Sequence, residues 1–205
     1  VAVTGVQTCA LPICSLSLYT YALETFALAY RPDMKSALVL GLGAGIVPMR
    51  LAAQGIAVDA VEIDPASLRV STRHFGFDPA RVRTHLADAR TFLRECPQRF
   101  DVVVVDLFHG DGVPEYLLTA EFFRDLRRCV ADDGYAVFNT FADLGRPRPY
   151  AHFLATLRAQ FPEVVLYRPQ DVASGLVNSF VVAGARRLPD TIRPRLDDEI
   201  GRAHV

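Results

Sequence analysis

The chain has 205 residues, a formal net charge of −1, no tryptophan and a hydrophobic fraction of 51%. This length and apolar content suit one domain with a sizeable core, and the near-zero charge gives no ground for binding nucleic acid or an anionic membrane. No apolar run is long enough to span a bilayer. The four cysteines form no C-x-x-C pair and no histidine lies at metal-binding spacing, so we predict no metal site, reduced thiols and a cytoplasmic protein.

The two ends of the chain do not resemble folded protein. Residues 3–13 (VTGVQTCALPI) and 200–205 (IGRAHV) resemble in-frame translations of a sequencing adapter, so we leave them out of the fold. We therefore expect residues 1–15 to be an artefactual or disordered leader, residues 16–185 to form the domain and residues 186–205 to be a tail. On this interpretation the natural protein extends past both ends.

The segment 37–64 predicts a strand, a glycine turn, a helix and a second strand. Residues 37–40 (ALVL) form a short apolar run, which is typical of a strand buried on both faces. Gly41, Gly43 and Gly45 follow it and lead into a helical pattern. The next apolar run carries Glu62 at its end. This order of elements is half of a nucleotide-binding α/β sheet.

The glycine spacing narrows the class of ligand. Glycine lets the backbone approach a ligand closely, and the start of the following helix offers unpaired N–H groups. The dinucleotide fingerprint G-x-G-x-x-G is not met, because Ile46 stands where its third glycine should be. The pattern G-x-G-x-G, with Glu62 about twenty residues on, resembles the S-adenosylmethionine-binding loop of class I methyltransferase-fold proteins.

Helices and strands alternate along the rest of the chain. A helix over residues 16–29 precedes the first strand, and the later elements are helices at 65–74, 90–95, 120–130 and from the 146–149 linker to about 160, and strands at 82–86, 101–106, 135–139, 163–168 and 178–183. Alternation implies a parallel sheet with right-handed crossovers. The final strand has no helix before it, which implies one antiparallel member. We predict a three-layer, Rossmann-like α/β fold of the class I methyltransferase type, with a seven-stranded, mostly parallel sheet.

Three acidic residues follow strands of this predicted sheet. Glu62, Asp88 and Asp106 each stand at a strand end, and ligands of such sheets bind at that edge. A sulfonium nucleoside would place its ribose hydroxyls on Glu62, its adenine on Asp88 and the Ala89 N–H, and its ammonium on Asp106. Each acid could instead cap the helix that follows it.

The chain resembles the spermidine synthase family from Tyr19 to about Thr140, including domains of this family that are fused to membrane segments. The matching motifs are VLGLGAG (39–45), VEID (61–64), the Asp88-Ala89-Arg90 block, FDVVVVD (100–106) and LTAEFF (118–123). The resemblance implies transfer of an aminopropyl group from decarboxylated S-adenosylmethionine to an amine such as putrescine, with Tyr19 at the substrate.

The chain departs from the family pattern beside the expected reaction centre. The family has an aspartate three residues after the position of Asp106, where this chain has His109, with Asp111 in the same loop. Thr20 and Tyr21 replace a histidine and a glutamate of the family. Histidine titrates near neutral pH and can act as a general base, and Asp111 could supply the negative charge that draws in a diammonium acceptor. We take Asp106, His109 and Asp111 as the candidate catalytic residues.

Three functions remain open from the sequence. The first is a spermidine synthase-like transferase that uses S-adenosylmethionine, or its decarboxylated form, as co-substrate and acts on a small amine. The second is a methyltransferase with another small acceptor. The third is a non-catalytic nucleoside-binding domain. A homodimer is compatible with each of them.

Overall fold

A seven-stranded sheet lies between two layers of helices in this computed structural model, which describes residues 18–108, 113–168 and 174–188. The strands are β1 (Ser36–Leu40), β2 (Ala57–Glu62), β3 (Arg83–Leu86), β4 (Phe100–Val105), β5 (Val130–Asp143), β6 (Glu163–Tyr167) and β7 (Leu176–Gly184). The helices are α1 (Leu18–Tyr30), α2 (Ile46–Ala53), α3 (Pro65–His74), α4 (Ala89–Arg94), α5 (Ala120–Cys129) and α6 (Pro147–Arg158), with a short 3-10 helix at Glu115–Leu117.

The strand order is β3-β2-β1-β4-β5-β7-β6. Four pairs of neighbouring strands are parallel, namely β1–β2, β1–β4, β2–β3 and β4–β5. Strand β7 runs antiparallel to both β5 and β6. The predicted seven-stranded sheet with one antiparallel strand is therefore confirmed. The chain changes direction across the sheet between β1 and β4, which is the switch point where open α/β sheets bind their ligands.

Each face of the sheet carries its own apolar core. Val102 and Val104 of β4 pack with α1 and α2, whereas Val103 and Val105 pack with α4, α5 and α6. All four valines are 6% exposed or less. A strand covered on both faces has no reason to alternate apolar with polar residues, which explains the unbroken valine run.

Helix α1 is fixed to α2 by a buried charged cluster. The Glu24 carboxylate accepts hydrogen bonds from Arg50 and, at 2.8 Å, from Gln54. The Arg50 guanidinium lies 4.8 Å from the ring centroid of Tyr21, and the Glu24 and Arg50 side chains are 7% and 14% exposed. Breaking such a pair leaves one buried charge uncompensated, so the cluster holds α1, and with it Tyr19, in one position.

Strand β5 is much longer than predicted. It runs over 14 residues, and its register against β4 shifts between Phe100 and Val102. Its last five residues continue past the end of β4 and pair only with β7, from Asn139↔Phe180 to Asp143↔Leu176. These residues of β5 and β7 form a two-stranded ribbon beside the carboxyl edge of the sheet. Helix α6 also starts earlier than expected, at Pro147, because proline fits the first turn of a helix.

Cys96 and Cys129 form a disulfide across 33 residues of sequence. The prediction of reduced thiols is therefore wrong for this pair. Cys96 follows α4 and Cys129 ends α5, and the two helices pack together on one face of the sheet. The spacing of the two cysteines in sequence does not predict this contact, because the helices that carry them meet only in the folded sheet. The other two cysteines, Cys9 and Cys14, lie outside the described residues.

The described ranges contain no group of three histidine, cysteine or acidic side chains that could hold a metal ion. None of the helices in the same ranges is long and apolar enough to cross a membrane.

Candidate nucleoside-binding site

The glycine turn and the three acids lie at one edge of the sheet. Gly41 follows β1, Glu62 ends β2, and Asp88 and Asp106 come after β3 and β4. Backbone hydrogen bonds hold these ends in register, from the Ala87 N–H to the Glu62 carbonyl and from the Asp106 N–H to that of Leu40, both 2.9 Å long. The edge therefore brings together the predicted site residues of four adjacent strands.

The glycine turn depends on the absence of side chains. Gly41, Gly43 and Gly45 all have positive φ angles, of 92°, 52° and 79°. A Cβ on Gly41 would overlap the backbone carbonyl of Asp106, and one on Gly45 would overlap the ring of Phe77. A Cβ on Gly43 would meet nothing within 4 Å. Gly41 and Gly45 therefore shape the turn, whereas Gly43 borders open space at the switch point.

We expect Gly43→Ala to weaken nucleoside binding about tenfold or more, because the new methyl group would occupy the open space beside the turn. Gly55 gives a matched control, since its φ angle is 79° and a Cβ there would also meet nothing within 4 Å. Both substitutions should cost about 1 kcal/mol of folding stability through backbone strain. Calorimetric titration with 5′-methylthioadenosine and urea unfolding would separate the two effects. Equal affinities in the two variants would contradict this use of the open space.

Glu62 is 9% exposed and has both carboxylate oxygens in use. One oxygen accepts from the Leu42 N–H of the glycine turn at 3.1 Å, and the other accepts from the Asp64 N–H at 2.8 Å. A carboxylate oxygen has two lone-pair sites, so each can accept one more hydrogen bond. The group is thus held in place with one acceptor site per oxygen left for a diol.

Asp88 caps α4 and also contacts the loop after β4. Its Oδ1 accepts from the Thr91 N–H at 2.9 Å, which is the helix-capping contact that the sequence also allowed. Its Oδ2 accepts from the Tyr116 hydroxyl at 3.1 Å. Burial and this hydrogen bond to Asp88 raise the pKa of Tyr116. Tyr116 was not predicted as a site residue, because it is 28 residues from Asp88 in sequence and no local pattern indicates the contact.

Asp106 is a largely buried carboxyl group on the α1 side of the sheet. Burial raises its pKa from the ordinary value of 3.8 to about 6, although a hydrogen bond from Asn139 opposes the shift. Burial, followed by the charge of Asp106, raises the pKa of Tyr19 to about 12. Near neutral pH, Tyr19 therefore keeps its proton and Asp106 can carry a negative charge in a low-dielectric setting.

Two asparagines extend the hydrogen bonds of Asp106, and neither was predicted as a site residue. Asn139 donates to Asp106 Oδ1 at 2.8 Å, and Asn178 donates to Asn139 Oδ1 at 2.7 Å. Asn139 stands opposite the end of β4, so the strand-end rule that found the acids would also have found it. Asn178 lies near the start of the antiparallel strand, where that rule does not apply. His109 and Asp111 lie outside the described residues.

Comparison with known proteins identifies the family. The model of the spermine/spermidine synthase domain matches residues 16–161. The polyamine aminopropyltransferase of Vibrio vulnificus is 32% identical over 173 residues, which are 80% of this chain and 57% of that protein. The N-terminal histidine N-methyltransferase of Emericella nidulans is 33% identical over 138 residues, which are 65% of this chain and 24% of that protein. The chain therefore spans little more than half of the first relative and a quarter of the second.

Solved structures agree on the fold. A probable spermidine synthase from Corynebacterium glutamicum superposes with a TM-score of 0.78 at 24% identity, over 88% of this chain and 68% of that chain. A spermidine synthase in complex with the transition-state analogue AdoDATO gives a TM-score of 0.70 at 18% identity, over 90% and 70% of the two chains. Because the family model covers most of the sequence and the fold agrees with it, the chain belongs to the spermine/spermidine synthase family.

Proposed function

We propose that this chain is the transferase domain of an aminopropyltransferase. Its co-substrate is decarboxylated S-adenosylmethionine and its acceptor is a small amine. The acceptor nitrogen attacks the aminopropyl carbon bonded to the sulfonium. The carbon–sulfur bond breaks, the sulfur keeps the electron pair and leaves as 5′-methylthioadenosine, and a base takes the proton that the nitrogen loses. Such a reaction needs little beyond alignment of the reactants and a base.

The side chains around the glycine turn support decarboxylated S-adenosylmethionine over S-adenosylmethionine as the ligand. Asp106 offers a buried carboxylate beside the open glycine turn, and an ammonium group is its natural partner. Residues 36–49, which form β1, the turn and the start of α2, contain no lysine or arginine. The next basic residue, Arg50, is paired with Glu24. Residues 36–49 thus present no basic side chain to the carboxylate that distinguishes S-adenosylmethionine, whereas the ammonium that both nucleosides carry can pair with Asp106.

The remaining contacts are assigned from geometry. Glu62 accepts from the two ribose hydroxyls through its remaining lone pairs. Asp88 accepts from the adenine amino group while the Ala89 N–H donates to the ring. Ile63 is 62% exposed and directly follows Glu62, so it offers apolar surface to the nucleoside. Tyr19 lies on α1, next to Asp106, and would border the acceptor.

We assign the acceptor side of the site to the loop after β4. His109 is the general base that removes the proton from the attacking amine, in the position where the family carries aspartate. Asp111 attracts a second ammonium of a diamine acceptor. These roles are supported by their proximity in sequence to Asp106 and by the chemistry of the side chains.

A methyltransferase is the second candidate, because the relative from Emericella nidulans is named an N-methyltransferase. A human methyltransferase-like protein in complex with SAH also shares the fold, with a TM-score of 0.69 at 24% identity. The two functions differ in the nucleoside that they consume. Titration with S-adenosylmethionine and with its decarboxylated form would distinguish them, since only a methyltransferase would prefer the carboxylated nucleoside.

The proposal is tested by incubating the protein with decarboxylated S-adenosylmethionine and putrescine and measuring 5′-methylthioadenosine. We expect product from the unmodified chain. His109→Ala should lower turnover about a hundredfold while leaving the affinity for the nucleoside unchanged. Tight nucleoside binding without turnover on any of a panel of amines would instead favour the non-catalytic alternative. Equal turnover of His109→Ala and the unmodified protein would remove the histidine from the mechanism.

A further inference from the structure

Asn139 and Asn178 are the two asparagines of the 205-residue chain, and they are hydrogen-bonded to each other beside Asp106. Asn139 belongs to β5 and Asn178 to β7, two strands that pair antiparallel. Both lie in the two-stranded ribbon that extends past β4. Asn178 is thus connected to Asp106 through Asn139.

The donor and acceptor roles in the hydrogen bonds from Asn178 through Asn139 to Asp106 are fixed by chemistry. Asn178 Nδ2 donates to the backbone carbonyl of Thr140 at 3.3 Å as well as to Asn139 Oδ1. A backbone carbonyl can only accept, and an ionised carboxylate can only accept. The Thr140 carbonyl at one end and Asp106 at the other therefore fix both amides, so that the Asn139 amino group must point at Asp106.

The surroundings of Asp106 leave this bond as its main polar support among the described residues. Strand β1 and the glycine turn contain no ionisable side chain. Helix α1 contributes Tyr19, whose pKa is raised in part by the Asp106 charge. Strand β5 contributes the neutral Asn139. A buried carboxylate is stabilised when it accepts a hydrogen bond, and here the bond from Asn139 acts against the effect of burial on the pKa.

We propose that Asn178 is a positioning residue for Asp106, acting by fixing the orientation of the Asn139 amide. This role rests on the proposed function, in which Asp106 pairs with the ammonium of the co-substrate. Without Asn178, the Asn139 Oδ1 loses its donor, and the contact with Asp106 alone holds the Asn139 amide in place. Asp106 then receives a weaker hydrogen bond and holds its negative charge less well.

The test is a titration of Asp106 in the free protein, followed by carbon-13 NMR of aspartate carboxyl groups and assigned with Asp106→Asn. In Asn178→Leu, which cannot donate, the pKa of Asp106 should rise by about half a unit or more. In Asn178→Asp, the new carboxylate can only accept and competes with Asp106 for the Asn139 amino group, so the rise should be larger. Ser179→Ala is the control. The Ser179 hydroxyl donates to the Val177 carbonyl at 3.3 Å, outside the Asn178–Asn139–Asp106 series of hydrogen bonds, which we call the relay. An unchanged Asp106 titration in both Asn178 variants would overturn the inference.

A second measurement separates this inference from the proposed function. At pH 5, Asn178→Leu should bind decarboxylated S-adenosylmethionine about threefold more weakly, because a rise of half a unit in the pKa of Asp106 lowers its ionised fraction by about that factor below pH 6. Binding of 5′-methylthioadenosine, which lacks the ammonium, should change little. A shifted Asp106 titration in a protein that binds neither nucleoside would uphold the relay and refute the proposed function. Equal losses for both nucleosides, with Asp106 unshifted, would make Asn178 a purely structural residue.

Discussion

Replacing Glu62 with alanine is expected to weaken the binding of decarboxylated S-adenosylmethionine about tenfold or more, because hydrogen bonds to a charged acceptor are worth about 1.5–3 kcal/mol each. The same change leaves the Leu42 and Asp64 N–H groups without their acceptor. The glycine turn then also loses one of the contacts that fix its geometry. Isothermal titration measures the affinity, and urea unfolding measures the accompanying loss of stability.

Asp101→Ala is the matched control for this experiment. Asp101 Oδ2 accepts from two backbone N–H groups, those of Lys35 at 2.7 Å and Ser36 at 3.0 Å. It does so near the start of β4, at the edge of the sheet opposite the site. The control should therefore lose stability to a similar degree and keep its affinity. A Glu62→Ala protein that binds the nucleoside as tightly as Asp101→Ala would remove the ribose assignment.

Asp106→Asn is expected to abolish the preference for decarboxylated S-adenosylmethionine over 5′-methylthioadenosine, which lacks the ammonium. The same substitution should also stabilise the fold at alkaline pH. The asparagine can accept the hydrogen bond from Asn139 without a buried charge. Burial raises the pKa of Asp106 from 3.8 to about 6, so the folded state disfavours the carboxylate. The resulting penalty is largest above pH 6, decreases between pH 6 and 3.8, and vanishes below pH 3.8. A shift of this size corresponds to about 3 kcal/mol at most.

The expected result is that Asp106→Asn exceeds the unmodified protein in stability by up to about 3 kcal/mol at pH 8 and by only about 0.5 kcal/mol at pH 4. In the unmodified protein, affinity for decarboxylated S-adenosylmethionine should fall about tenfold per pH unit below pH 6, because a proton must leave Asp106 before the ammonium can pair with it. The affinity for 5′-methylthioadenosine should not fall in this way below pH 6. The same pH dependence for both nucleosides would place the titrating group elsewhere.

Much of the fold could be predicted because the decisive signals are local. The valine run of β4, the Asp64 cap whose carboxylate accepts from Ala66 at 2.8 Å and the Thr119 cap of α5 are each visible within a few residues of sequence. The placement of Glu62, Asp88 and Asp106 at one edge follows from topology, since the carboxyl ends of parallel strands meet there. A short apolar run followed by an acidic residue was therefore enough to predict that these three side chains share one edge of the sheet.

The parts that could not be predicted depend on contacts between distant segments. Asn178 meets Asn139 only because β7 runs antiparallel to β5 in a particular register, and a shift by one residue would turn its side chain to the opposite face. Strand β5 extends to Asp143 because β7 supplies a partner for residues that lack one in β4. The pairing of Cys96 with Cys129 likewise depends on two helices that meet only after the sheet has formed.

The disulfide between Cys96 and Cys129 also affects how such variants must be compared. It closes a loop whose ends are 33 residues apart, and the loss of chain entropy in the unfolded state from a loop of this size stabilises a protein by about 3–4 kcal/mol. A preparation with mixed thiol oxidation would therefore contain two populations that melt at different temperatures. Reductant concentration has to be held constant between samples, or a difference in redox state will be mistaken for the effect of a substitution.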